Sequence, residues 1–209
     1  MKTYDWIVKE SMLPWLKLDI SFPFEKMYKE AVSLKNRFVS HRDQDGGGYR
    51  HKGWRSLCLH GISAEKTNHY VQYGYSSNEE TPYKWTDIKS SCPVTYSFFK
   101  NDFPFKEYYR VRFMLLEPGG YITPHQDQDH HNLSPVNIAL NNPKGCKMKM
   151  KGHKGYVPFN PGDAFLLDVG NTHAVFNDSD EDRYHMIVHG VKGKEFKKIV
   201  ERSYEKNGS

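Results

Sequence analysis

The strongest constraint on this chain lies between Tyr108 and Val188, where short apolar runs are punctuated by turn residues at close intervals. Val111, Phe113 and Leu115 alternate with Arg110, Arg112 and Met114. That period of two describes a strand with unlike faces. Pro118-Gly119-Gly120 reads as a turn. Further β-like runs follow at Tyr121–Pro124, Val136–Leu140, Gly145–Lys151, Tyr156–Phe159, Ala164–Val169, His173–Asn177 and Arg183–Val188. Asn141-Asn142-Pro143, Pro161-Gly162-Asp163, Gly170-Asn171 and Asp178-Ser179-Asp180 separate them. Such spacing predicts an antiparallel sandwich or barrel of jelly-roll type, so the fold class is mainly β with flanking helices.

The chain before Tyr108 reads mainly as helix. Met27, Ala31 and Leu34 form one stripe within Phe24–Val39. Ser63 before Ala64-Glu65-Lys66 is a plausible cap for a short helix, and Thr86-Asp87 opens another that Pro93 would break or end. Lys194 to Tyr204 reads as a final helix. No linker divides these parts. The expectation is one domain over residues 1–209: a helical N-terminal layer to about 106, a β core over about 107–190, and a C-terminal helix over about 193–205. Gly46-Gly47-Gly48 lacks the strand before and helix after that a phosphate loop needs, and reads as a connector or lid.

Composition excludes several classes. Apolar runs such as Phe165-Leu166-Leu167 are far too short for a bilayer. The start carries no apolar signal core, so a cytoplasmic protein is expected. Cys58, Cys92 and Cys146 show no zinc-like spacing and read as buried free thiols. The net charge of +5 is spread along the chain, apart from Lys144 to Lys154 and the C-terminal segment. A solvated basic surface is the reading, rather than a nucleic-acid or membrane partner.

The chemistry centres on Pro124-His125-Gln126-Asp127. Alternate strand residues share a face, so His125 and Asp127 can reach one metal ion. The third ligand must come from another strand, and His173, opening the run His173–Asn177, is the candidate; His185 and His189 stand in reserve. Two histidines and a carboxylate leave coordination positions open, a set suited to Fe(II) oxygen chemistry. Asp129, His130 and His131 read as a polar loop at the rim. Arg183 follows across the turn Asp178–Asp182. A guanidinium there could pair bidentately with the carboxylate of a 2-oxo acid chelating the metal, or with its neighbours Asp180, Glu181 and Asp182. Spacing alone leaves both open.

The stretch from Arg110 to Gly190 resembles the aspartyl/asparaginyl β-hydroxylase family of 2-oxoglutarate oxygenases and the related bacterial proline hydroxylases. The residues that carry this are Arg112 to Gly120, Pro124-His125, Pro143 to Lys147, Pro161-Gly162-Asp163, His173 and Arg183, over about eighty residues. The resemblance implies a double-stranded β-helix with iron at His125 and His173 and 2-oxoglutarate at Arg183. It implies hydroxylation of an unactivated C–H bond of an amino acid or amino-acid residue, using dioxygen and releasing succinate and carbon dioxide. Asn137 falls where the family places a polar residue toward the co-substrate, with a plain strand residue as the alternative. Trp54-Arg55-Ser56-Leu57 resembles a segment near the 2-oxoglutarate pocket, which makes Ser56 a candidate contact; a core strand is the alternative. Arg110 and Arg112 either line the barrel or are solvated.

Two departures matter. Animal members carry glycine two positions after the first histidine, where this chain has Asp127, as in the amino-acid hydroxylase branch. They also carry arginines soon after that histidine to grip an acidic substrate, whereas Asn132–Asn137 here has no basic residue. The competing readings are a cupin-like metal protein with a non-oxygenase or ligand-binding role, which has no need of Arg183, and a non-catalytic interaction module, which has no need of the three metal ligands together.

Overall fold

A computed structural model describes residues 2–41 and 50–208, so Gly46-Gly47-Gly48 lies outside the described residues. The order of elements is α1 (Tyr4–Glu10), β1 (Trp15–Lys17), α2 (Phe24–Ser33), β2 (Val39–Ser40), β3 (His51–Gly61), β4 (Lys84–Trp85), α3 (Pro93–Ser97), β5 (Phe105–His125), β6 (Val136–Ala139), β7 (Cys146–Met150), β8 (Ala164–Leu167), β9 (His173–Asn177), β10 (Arg183–Lys192) and α4 (Lys194–Asn207). All strand pairs are antiparallel. The larger layer runs β1-β8-β6-β10-β5-β3-β2, and β7-β9 continues from the far half of β5.

β5 belongs to both layers, which is what makes the architecture a jelly roll. Its first half pairs with β10 and β3; beyond Gly120 it pairs with β9. The switch occurs at Pro118-Gly119-Gly120. Those residues do not reverse the chain; they form a bulge, where the register with β3 jumps from Trp54↔Leu116 to Lys52↔Tyr121. A bulge bends a strand, and bent strands turn the corners of sandwiches. Glycine is required on both counts: Gly119 has φ +68°, and a Cβ on Gly120 would lie 2.7 Å from the Glu117 carbonyl oxygen.

The alternating pattern divides two interiors. Val111, Phe113, Leu115, Ile138, Leu166, Tyr184, Met186 and Val188 face the helices and form the main core with Ile7, Met27, Phe99 and Phe196. The residues between them face the other layer. There Leu116, Ala139, Phe165 and Leu167 meet Ile122, Met148, Met150 and Val175 in a second, smaller core. Phe159 and Val157 also join it, although Tyr156–Phe159 is not a strand.

The N-terminal reading is corrected. The segment before Tyr108 is only partly helical, because His51–Gly61 is an eleven-residue strand paired with β5. Trp54 and Leu57 lie on opposite faces of it and fill different cores. α2 ends at Ser33 rather than near Val39. Ser63 caps a turn, its Oγ accepting from the Lys66 amide at 3.1 Å, and no helix follows. Asp87–Ser90 is a single 3-10 turn. Pro93 starts α3 instead of ending a helix, as suits a residue whose missing N–H is unneeded in a first turn. No helix among the described residues is long and apolar enough to cross a membrane.

Candidate active site

Between the layers lies a cavity of about 480 Å³. Its walls follow from the strand period. β5 contributes Arg110, Arg112 and Met114, and β10 contributes Arg183, His185, Ile187 and His189 opposite them. Beyond the bulge, β5 adds Ile122 and His125 near the mouth, Asp127 follows just past its end, and β9 adds His173 and Val175.

His125 and His173 are register partners across β5 and β9, with ring centroids 4.2 Å apart. Asp127 lies beside both: Oδ1 is 3.7 Å from His125 Nε2 and Oδ2 is 3.8 Å from His173 Nε2. One ligand atom from each residue falls within 4.8 Å of the other two. The His125 and His173 side chains are buried, whereas Asp127 is half exposed, so the cluster sits at the wall and opens toward solvent on the carboxylate side. Each imidazole is held the same way. Nδ1 of His125 donates to the Thr123 carbonyl at 2.8 Å, and Nδ1 of His173 to that of Asn171 at 2.9 Å. A carbonyl only accepts, so the hydrogen is on Nδ1, and in the neutral ring the lone pair is on Nε2, the atom facing Asp127. The Asp127 amide donates to the Val169 carbonyl at 2.9 Å, which fixes its backbone against the neighbouring layer. Two oriented imidazole lone pairs and a carboxylate are the donor set a divalent iron takes.

Arg183 starts β10 and turns into the cavity. It pairs with none of Asp180, Glu181 and Asp182. Asp182 is engaged by Lys35, and among the described residues Arg183 has no carboxylate partner. Its Nε donates to Asn142 Oδ1 at 3.4 Å, a terminal nitrogen donates to His185 Nδ1 at 3.0 Å, and its plane lies over Phe159 at 5.6 Å. Burial lowers its pKa to about 10, still charged at neutral pH. Burial and the adjacent guanidinium hold His185 well below the ordinary histidine range, so it is neutral and its Nδ1 accepts.

The remaining candidates separate. Asn137, on β6 beside Ile187, is on the cavity wall. Ser56 is not among the lining residues; it lies one layer back, 2.7 Å from Nδ1 of His41, which does line the cavity. Asp129 and His130 are exposed and paired with each other at 2.8 Å. His131 departs from the expected rim loop: it turns inward, its Nδ1 3.0 Å from Asp168 Oδ2, with both side chains largely buried. The same aspartate accepts from the Asn132 and Gly170 amides and so ties down the loop beyond Asp127.

Sequence reasoning missed Asn177, which is fully buried. Its Nδ2 donates to the carbonyls of Leu116, Glu117 and Glu181, and its Oδ1 accepts from the amide and hydroxyl of Ser179. It thereby clamps the β5 bulge to the hairpin that delivers Arg183. No pattern marks such a residue, because its partners are backbone atoms distant in sequence. His185 and His189 carried a signal, since they alternate with Arg183.

No curated protein sequence matches the chain. Among solved structures, it is similar to a prolyl-4-hydroxylase from Pseudomonas putida at 14% identity, covering 91% of this chain and 98% of that one, with a TM-score of 0.49. A prolyl hydroxylase from Trichoplax adhaerens, in complex with a hypoxia inducible factor peptide fragment, is similar at 14% identity over 93% and 89% of the two chains, with a TM-score of 0.49. The model of the aspartyl/asparaginyl beta-hydroxylase family matches residues 22–192. This span runs from the start of α2 to the end of β10 and includes both layers and the whole cavity wall, so the chain belongs to the aspartyl/asparaginyl β-hydroxylase family and is a 2-oxoglutarate-dependent hydroxylase.

Proposed function

We propose that the protein hydroxylates an unactivated C–H bond of an amino acid or amino-acid residue, with Fe(II) held by His125, Asp127 and His173 and 2-oxoglutarate held by Arg183. The observation that carries this reading is the pairing of two features in one cavity. A His/Asp/His cluster opens onto the same cavity as a buried arginine that has no carboxylate partner among the described residues. A cupin-like metal protein has no use for that arginine.

When bound, the iron with 2-oxoglutarate and dioxygen supplies the oxidation, which replaces a C–H hydrogen by hydroxyl and releases succinate and carbon dioxide. The protein's part is geometry and exclusion of water. The carbonyls of Thr123 and Asn171 keep both Nε2 lone pairs aimed at one point. Arg183 offers a planar fork to the distal carboxylate, and His185, neutral, holds that fork by accepting from it. Asn137 adds a neutral polar contact nearby. Ser56 touches His41 rather than the cavity. Ile122, Met148, Leu167 and Val175 keep the cavity apolar between these groups.

The test is succinate formation from 2-oxoglutarate that requires Fe(II), screened against amino acids and peptides. Turnover that is stimulated by one substrate class and lost on chelation supports the reading. Metal binding with no succinate under any condition points to the cupin-like alternative.

A further inference from the structure

Among the described residues, the cavity wall holds three guanidinium groups, of Arg110, Arg112 and Arg183, and a single carboxylate, that of Asp127. Arg112 is only 5% exposed. One of its nitrogens donates to the Thr67 carbonyl at 3.0 Å and lies 3.3 Å from His41 Nε2. Arg110 donates to the next carbonyl, that of Asn68, at 3.1 Å. The two carbonyls are neutral, so they aim the guanidiniums without balancing their charge. The Nε atoms of both are buried with no hydrogen-bond partner, and neither arginine forms an ion pair among the described residues. Burial, with the charge of Arg110 beside it, pushes Arg112 down to about 9, and burial lowers Arg110 as well. Two adjacent buried cations with no ion-pair partner among the described residues are a costly arrangement, and the fold keeps them on the cavity side of β5.

Charge counting says what is missing. With a divalent metal, Asp127, Arg183 and doubly negative 2-oxoglutarate in place, those four sum to zero. The charges of Arg110 and Arg112 are what remains. Among the described residues, the polar groups around them include Asn68, Gln72, and His189, which burial and the two arginines hold well below its ordinary pKa, and Asp127, already counted, is the carboxylate whose charge reaches both.

We infer that Arg110 and Arg112 form the substrate's anion subsite, and that the substrate brings a doubly negative oxyanion group there, either two carboxylates or a phosphomonoester. This rests on the reading of the cavity as an iron and 2-oxoglutarate site. It differs from the acid-gripping arginines implied by the animal relatives, whose place after the first histidine is Asn132–Asn137 here. Two forks two residues apart on one strand face present paired N–H groups to one occupant, the arrangement that favours a dianion over a single carboxylate.

The experiment is calorimetric titration of malonate, inorganic phosphate and acetate into the anaerobic protein saturated with Fe(II) and 2-oxoglutarate. Malonate or phosphate should bind at least about tenfold more tightly than acetate, and which of the two is stronger identifies the group. Arg110→Gln and Arg112→Gln should each weaken that binding by about tenfold or more, while 2-oxoglutarate affinity stays as in the wild type. Without anion, Arg112→Gln should melt no lower than the wild type, because a buried unpaired charge has been removed. Equal binding of acetate and the dianions, or dianion binding unchanged in both variants, overturns the inference. So does a lower melting temperature in Arg112→Gln with anion binding intact, which would make the arginine a strut for the Thr67 loop. Failure of the wild type to take up 2-oxoglutarate at all would instead contradict the iron and co-substrate reading; the same titration without 2-oxoglutarate then still tests the arginine pair.

Discussion

His125 and His173 face each other across β5 and β9, and each donates its Nδ1 hydrogen to the carbonyl two residues before it, Thr123 for one and Asn171 for the other. The symmetry has a mechanical origin. Each histidine sits at a strand end where the backbone turns back under its own ring, and the two ends are adjacent in the sheet. A fixed tautomer on both rings means that no rearrangement is needed before a metal binds.

Replacing either histidine removes one of two oriented donors. His125→Ala and His173→Ala should each abolish Fe(II) binding by calorimetry while the melting temperature of the metal-free protein changes little. Full iron affinity in His173→Ala would move the distal ligand elsewhere. His185 is a poor substitute, because its Nδ1 is already taken by Arg183.

Asp127 and Asp129 make opposite predictions. Asp127 lies within 3.8 Å of both Nε2 atoms, whereas Asp129 is exposed and paired with His130. Asp127→Ala should weaken iron binding at least about tenfold, and Asp129→Ala should leave it unchanged. Asp127→Gly is informative, since animal relatives carry glycine there: residual turnover in that variant would show the carboxylate to be dispensable in this chain too.

Arg183→Ala should raise the 2-oxoglutarate dissociation constant about a hundredfold or more. Removing one partner of a buried charge pair costs about 3–5 kcal/mol and a charged hydrogen bond alone about 1.5–3, at about 1.4 kcal/mol per decade. Arg183→Lys should recover part of this, because an ammonium lacks the planar fork. Iron affinity should not move.

Asn177→Ala should destabilise the protein by about 2–4 kcal/mol in denaturant unfolding, since three carbonyls and a Ser179 turn lose their partner inside the structure. Weaker 2-oxoglutarate binding should accompany it, as the hairpin that carries Arg183 loosens. A change under about 0.5 kcal/mol, the range of ordinary surface substitutions, would contradict the clamp.

Stability should fall on the acid side of neutrality. Burial holds His185 and His189 well below 6.5 and His60 at about 4, so the unfolded chain binds more protons than the folded one as the pH drops. The sign of the linkage is then a loss of stability as pH falls from 6.5 toward about 4. Melting temperatures measured across that range should decline, and His60→Gln should flatten the decline. A flat profile in the wild type would contradict the burial of these rings as neutral groups.

The sequence made much of the β core legible, because it is built on period-two alternation that burial imposes residue by residue. The same alternation placed His125 beside Asp127, the next strand start offered His173 as the third ligand, and the family resemblance decided between the two readings of Arg183. What it obscured has physical reasons. β3 was read as part of a helical layer because its apolar residues feed two cores at once, Leu57 into one and Trp54 into the other. Pro118-Gly119-Gly120 looked like a turn because a bulge and a turn make the same demand on backbone conformation. Ser56 seemed near the pocket because Trp54-Arg55-Ser56-Leu57 resembles a family segment there, yet His41 stands between it and the cavity. That residue follows directly on β2, and side chains delivered by a neighbouring element leave no trace in local spacing.

The most direct measurement is anaerobic titration of 2-oxoglutarate into the Fe(II)-loaded wild type and into Arg183→Ala and His173→Ala. The expected result is one 2-oxoglutarate per chain bound only when iron is present, with affinity falling about a hundredfold in Arg183→Ala and binding lost in His173→Ala. Tight 2-oxoglutarate binding that survives both substitutions, or iron binding in the wild type with no uptake of 2-oxoglutarate, would contradict the assignment of these residues.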